Sequence, residues 1–163
     1  MTWKVIYVNS RAEKKVGERL QEKGIECYVP LKKELKQWSD RKKTVLLPMI
    51  TGYVFVKPTA IQRDKVLQEP GVLQFVRYNS ADAIIREIEI KTLKSIEEKG
   101  YYVEGDFGAS LKIGDAATIQ HGQFKGLKGI IKSSATEEQF YIAIDSIDFC
   151  LTIRVPKEIL VKH

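Results

Sequence analysis

Histidine, cysteine and long apolar runs are scarce in this chain, and each shortage excludes a class of function. There are two histidines, His121 in a glycine-rich stretch and His163 at the end. Neither stands beside a cysteine or an acidic cluster, so the sequence assembles neither a nucleophile with its base nor a metal-ligand set. Cys27 and Cys150 lie far apart without Cys-x-x-Cys spacing and read as free thiols of a reducing compartment. No stretch approaches the roughly 20 apolar residues of a membrane span. The opening Met1-Thr2-Trp3-Lys4-Val5 is not a basic segment leading into an apolar one. The expected location is the cytoplasm, without membrane contact. A phosphate-cradling loop is missing too, because Gly122 to Gly129 falls between predicted strands rather than between a strand and a helix. Asp145 and Asp148 read as the flanks of a turn, and Glu137-Glu138 as a solvated loop. The chain is not expected to be an enzyme, and no catalytic residue, cofactor or metal is expected.

What is present is a lopsided charge. Among 163 residues, Lys and Arg number 27 and Asp and Glu 21, a net +6. Residues 1–100 hold 20 basic and 13 acidic residues, a net +7, while 101–163 hold 7 and 8, a net −1. The first segment therefore carries all the basic excess, which fits a module facing nucleic acid or another polyanion; a merely solvated surface is the plainer reading.

The longest apolar run, Leu46 to Lys57, organises the chain. Pro48 cannot donate to a sheet ladder and Gly52 tolerates positive φ, so they punctuate two strands. Beyond Gly52 the residues alternate, with Tyr53 and Phe55 on one face and Val54 and Val56 on the other. The two aromatics form either half a core or a docking surface; aromatic area is usually buried, which favours core.

Residues 3–8 alternate as a strand, and Ser10-Arg11-Ala12-Glu13 has the spacing of a capping box. The helix that follows should run to about Lys23, with Ala12, Val16 and Leu20 buried and Gly24 as its stop. Glu26 to Val29 reads as a strand ended by Pro30. From Lys32 to Lys43 the chain is strongly basic around a lone Trp38, and Ser39-Asp40 supplies turn chemistry for a hairpin returning through Thr44 to Leu47. That hairpin is either a solvated excursion or a phosphate-binding tip. A short helix from Thr59 to Gln68 follows, then a strand from Leu73 to Tyr78, a loop at Asn79 to Asp82, and a helix from Arg86 to Lys99 with Ile88, Leu93 and Ile96 inward. The expected fold class is α+β, a mostly antiparallel sheet flanked by helices over residues 1–100. Residues 101–110 read as a linker. From 111 to 163, five short strands separated by turns (Ala116–Gln120, Leu127–Lys132, Gln139–Ile144, Phe149–Val155, Ile159–Val161) suggest a small all-β barrel of the SH3-like kind.

Gly122, Phe124, Gly126 and Gly129, within Ile119 to Ile130, resemble the KOW motif, with Gln123 where a Pro is usual. Pro48-x-x-x-Gly52-Tyr53-x-Phe55-Val56 after an opening Trp3 strand resembles the N-terminal (NGN) domain of the NusG family. Glu13 in the first helix, Pro30 after the second strand and Pro70-Gly71-Val72 before Phe75-Val76 extend the likeness over nearly the whole chain. Ile50-Thr51 replaces the family's usual Phe-Pro. Trp38 to Lys43 looks like the specialised UpxY-type, RfaH-like branch.

That resemblance implies an antiterminator riding on RNA polymerase through long operons, such as those for surface polysaccharides. It implies docking on the clamp helices of the β′ subunit through Tyr7, Ile50, Tyr53 and Phe55. Contact with the β subunit's gate loop maps to Gln62, Arg63 and Asp64. Non-template DNA or nascent RNA would meet Arg11, Lys14 and Lys15, and the hairpin tip would add Arg41, Lys42 and Lys43. The KOW domain would recruit a ribosomal protein or a termination factor, and the protein is expected to be a monomer. Gly126 and Gly129 disfavour helix, so a permanent barrel is expected. The alternative is a ribosome-associated or RNA-binding KOW protein.

Overall fold

A computed structural model describes residues 1–99 throughout and, beyond them, the strand segments 103–107, 115–119, 128–133, 138–144, 149–155 and 160–162. The chain divides into two compact units, Met1–Ile90 and Lys91–His163.

In the first unit, strands β1 (Trp3–Val8), β2 (Glu26–Tyr28), β5 (Tyr53–Lys57) and β6 (Val72–Phe75) form one antiparallel sheet in the order β2-β5-β1-β6. A two-residue strand, Ile84–Ile85, also pairs with β1, setting Trp3 opposite Ile85. The register sets Val5 against Phe55 and Tyr7 against Tyr53. Because side chains alternate across a sheet, one face is mainly aliphatic and the other mainly aromatic, as the period-two pattern predicts. The aliphatic face carries Ile6, Val8, Cys27, Val54, Val56 and Phe75, which share one buried cluster with Val16 and Leu20 of helix α1 (Glu13–Glu22) and Val66 of helix α2 (Ala60–Gln68). Gly17 lets α1 come close, since a Cβ there would stand 2.8 Å from the Val29 methyl. The aromatic face carries Trp3, Tyr7, Tyr28, Tyr53 and Phe55.

Strands β3 (Leu31–Gln37) and β4 (Lys42–Pro48) form a separate two-stranded hairpin. The Trp38 amide donates to the Arg41 carbonyl at 2.8 Å, closing a two-residue turn at Ser39-Asp40. No residue from Leu31 to Pro48 is buried, so the hairpin owes its shape to its own ladder and not to a core.

The structure corrects several local expectations. The Ser10–Glu13 capping box does not form: Ala12 occupies the N-cap without a side-chain bond, and Arg11 adopts φ 65. Glu13 turns inward instead. The capping box sits at the next helix, where Thr59 and Gln62 cap each other reciprocally. In α2 only Val66 is buried, while Ile61 and Leu67 are exposed. The strand expected to reach Tyr78 ends at Phe75. Arg77–Tyr78 then pairs with Ala81–Asp82 in a small hairpin, whose turn puts Asn79 and Ser80 at φ 52 and 66. In helix α3 (Glu87–Lys99) the buried stripe is Ile90, Leu93 and Ile96, and Ile88 is 55% exposed. Two residues advance a helix by about 200°, so Ile88 falls opposite Ile90.

In the second unit the stretch read as a linker contains a strand, Val103–Phe107, paired antiparallel with Phe149–Val155. The five expected barrel strands appear as Asp115–Ile119, Lys128–Ser133, Glu138–Ile144, Phe149–Val155 and Leu160–Lys162. Together the six make one antiparallel sheet, in which Asp115–Ile119 pairs with both Lys128–Ser133 and Leu160–Lys162. The fold class is therefore α+β followed, beyond α3, by strands alone among the described residues, as predicted. Among the described residues no helix is long and apolar enough to cross a membrane.

Candidate functional site

The residues matched to polymerase docking gather at one place. Tyr7 and Tyr53 face each other across β1 and β5 with ring centroids 4.8 Å apart in an edge-to-face arrangement. The Tyr53 hydroxyl donates to the Tyr7 hydroxyl at 3.0 Å. Burial, and then that partner, push the Tyr53 phenol well above its ordinary range, so it stays neutral. Phe55 lies nearly parallel to Tyr28 at 6.4 Å. Ile50 is in the turn just ahead, where its carbonyl accepts from the Tyr53 amide at 3.4 Å. These side chains have little free surface: Ile50 is 1% exposed, Tyr53 7% and Phe55 0%, while Tyr7 is half-buried.

Glu13 holds this turn. Its side chain is almost fully buried, and its Oε1 accepts from the Gly52 amide at 3.0 Å. Gly52 has φ 82, a conformation suited to glycine, and its carbonyl accepts from the Val8 amide at 2.9 Å. Helix α1 thus grips the turn that delivers Ile50 and Tyr53. The sequence singles out both Glu13 and Gly52, but not the bond between them.

The gate-loop candidates divide. Gln62 is half of the Thr59 capping box, and Asp64 is exposed. Arg63 makes a two-pronged ion pair with Asp82, Nε to Oδ2 at 2.9 Å and Nη2 to Oδ1 at 3.0 Å. Lys4 joins at 2.9 Å from Oδ2, and the guanidinium covers the Phe75 ring at 4.5 Å. Arg63 therefore fastens α2 to the small Arg77–Asp82 hairpin. The hydrogen bond from Arg63, with Lys4 adding to it, holds the Asp82 carboxyl at about 2 instead of 3.8.

A stability consequence follows. A carboxyl whose folded pKa lies below its unfolded one stabilises the fold above about pH 4, and this contribution is lost as pH falls toward 2. With the partners partly in solvent it should amount to about 1–2 kcal/mol. Urea midpoints followed from pH 5 to pH 2 are expected to fall less in Asp82→Asn, which starts lower at neutral pH, than in the parent. Equal acid slopes would rule out this group as the source.

The basic candidates lie on two elements that touch. Arg11, Lys14 and Lys15 are all exposed at the start of α1, and the Lys14 ammonium donates to the Leu46 carbonyl of β4. The hairpin divides the run Arg41-Lys42-Lys43. The register pairs Lys36 with Lys43 and Gln37 with Lys42, and the turn pairs Trp38 with Arg41. Arg41 and Lys43 consequently share the Trp38 face, 5.2 and 5.4 Å from its ring, while Lys42 lies on the other face with Leu35 and Leu46. Lys36 enters the set from its register. Reading Ser39-Asp40 as a two-residue loop would have revealed it, because that loop length sets which residues oppose each other.

Of the KOW residues, Gly122, Phe124 and Gly126 lie outside the described residues, and Gly129 pairs with Ala117 in the second unit. Among the described residues, no group of three or more His, Cys, Asp or Glu is placed to hold a metal. Cys27 is a free thiol whose Sγ donates to the Gly17 carbonyl at 3.1 Å. Burial pushes it up to about 11, so little nucleophilic thiolate exists at neutral pH.

The family model described as "Transcription termination factor nusG" matches residues 1–94. The chain belongs to the NusG family. The match spans the sheet, both faces described above and the first eight residues of α3. Among solved structures, one describing domain interaction in Thermotoga maritima NusG matches over 99% of this chain and 96% of that one, with a TM-score of 0.63 and 20% identity. At that identity the NusG structure bears on the fold alone. A comparison with curated proteins finds no match. The NusG family consists of transcription elongation and termination factors, which are not enzymes.

Proposed function

We propose that this NusG-family protein is an antiterminator that binds RNA polymerase, bridges its cleft and suppresses pausing and termination in specific operons, of which surface-polysaccharide operons are the expected kind. The observation that supports this reading most is the gathering of Tyr7, Ile50, Tyr53 and Phe55 around one turn and one sheet face. In this reading that face meets the β′ clamp helices. Gln62, Arg63 and Asp64 lie toward the β gate loop, with Asp64 the member most free to make contact. Arg11, Lys14, Lys15, Arg41, Lys42 and Lys43 meet non-template DNA or nascent RNA.

No covalent chemistry is needed. A module that binds both sides of the cleft more tightly when the clamp is closed shifts the polymerase toward that state by its differential affinity, and no further. Because the docking side chains are buried, part of the binding free energy must go into exposing them, which weakens the apparent affinity. The KOW domain, tethered to the same chain, would hold a ribosomal protein or a termination factor at raised effective concentration.

The test is retention of the full chain on immobilised core RNA polymerase, with Tyr53→Ala beside the parent. Retention at moderate salt that the substitution abolishes, with circular dichroism unchanged, is expected. If the parent is not retained even at low salt but binds RNA with a steep salt dependence, the ribosome-associated or RNA-binding alternative takes its place.

A further inference from the structure

The hairpin has a feature that a simple basic patch lacks. Trp38 is 43% exposed, yet it stands at the tip of a hairpin with no buried residue, so it contributes to no core. An aromatic face left open at a cationic tip is a surface on which an unpaired base can stack. Its neighbours on the same face are Arg41 and Lys43, both within 5.4 Å of the ring, and Lys36 opposite Lys43. Glu34, opposite Val45, ends the cationic stretch toward the base, and Asp40 lies in the turn itself. The other face carries Lys42 with Leu35 and Leu46, and no aromatic.

The geometry points to a binding site for single-stranded nucleic acid on the Trp38 face. An unpaired base stacks on the open part of the indole, and adjoining phosphates are held by Arg41, Lys43 and Lys36. The chemistry fits the arrangement. Every base has a π-face, so stacking on one aromatic tolerates sequence. Cations flanking the ring neutralise the backbone on either side of the stacked base. A duplex keeps its bases within the stack and cannot offer one to a lone indole at a hairpin tip. The strand ladder holds the four side chains in register, so the site does not have to be ordered at the moment of binding. The inference deepens the nucleic-acid contact proposed above and rests on that reading for its biological setting, but not for its chemistry.

The experiment uses the full chain with labelled oligothymidylate, oligouridylate and a duplex of equal length, read by fluorescence anisotropy over a salt series. Both single strands are expected to bind more tightly than the duplex; a preference between them tells whether DNA or RNA is the better ligand. Trp38→Ala should weaken single-strand binding about 5- to 100-fold, and Trp38→Phe should restore most of it. Arg41→Ala and Lys43→Ala should each make the salt dependence shallower by about 0.7 in log–log slope, while Lys33→Ala, opposite Leu46 on the other face, leaves it unchanged. The inference is overturned if Trp38→Ala binds like the parent, if Lys33→Ala costs as much as Arg41→Ala, or if duplex binds as tightly as single strand. Retention on polymerase, measured with the same proteins, separates the two readings. Retention without oligonucleotide binding defeats the inference alone, and oligonucleotide binding without retention defeats the antiterminator reading alone.

Discussion

Phe55→Ala is expected to lower the stability of the protein by about 3–5 kcal/mol, the range for losing a buried phenyl ring. The ring is fully buried, lies against Tyr28 at 6.4 Å and is paired in register with Val5 in the neighbouring strand. A domain of this size has only about 5–15 kcal/mol in total, so the variant should show a much lower urea midpoint. Polymerase retention should fall with it. Tyr53→Phe is the informative companion. It keeps the ring and removes the hydroxyl bond to Tyr7, a loss of about 1 kcal/mol. An unchanged urea midpoint in Phe55→Ala together with lost retention would show instead that the ring serves the partner and not the core.

The second large effect is expected at Glu13. Glu13→Ala removes the acceptor for the Gly52 amide and leaves that amide without its carboxylate, at a cost of about 2–3 kcal/mol. Glu13→Gln keeps an acceptor oxygen and should recover roughly half, since a bond to an ionised acceptor is about twice as strong as a neutral one. The functional consequence is specific. The turn holding Ile50 and Tyr53 is no longer fastened to α1, so polymerase retention should weaken in Glu13→Ala even at temperatures where circular dichroism shows a folded chain. Hydrogen exchange at Gly52 reports the same bond directly. If the Gly52 amide stays as protected in Glu13→Ala as in the parent, the tether is not what holds the turn.

The two cases differ in how far they could be read in advance. The placing of Phe55 and Tyr53 on one face, and of Val54 and Val56 on the other, follows from strict alternation after Gly52, because a strand has a period of two whatever surrounds it. The hairpin at Ser39-Asp40 and the helix beginning at Thr59 were legible for similar reasons, since each depends on residues close in sequence. Glu13 was legible as important and misread as to its task. A serine three residues before a glutamate suggests a local capping box, but the bond to Gly52 spans 39 residues and exists only once the helix has docked on the sheet. Arg63 shows the same limit: its likeness to a partner-contact position gave no hint of the ion pair with Asp82, 19 residues on.

The amino-acid sequence by itself determined the division into an α+β part and an all-β part, the two-faced central strand and the excess of positive charge in the first hundred residues. These depend on side-chain period, turn chemistry and composition, which act over a few residues and survive any arrangement of the whole. Tertiary structure alone decided which polar groups became internal ties and which stayed available. It buried Glu13 against the Gly52 amide and locked Arg63 onto Asp82. The physical reason is common to both. A charged or apolar side chain is committed only by what stands opposite it after folding, when the loss of water has to be offset by a partner supplied from elsewhere in the chain.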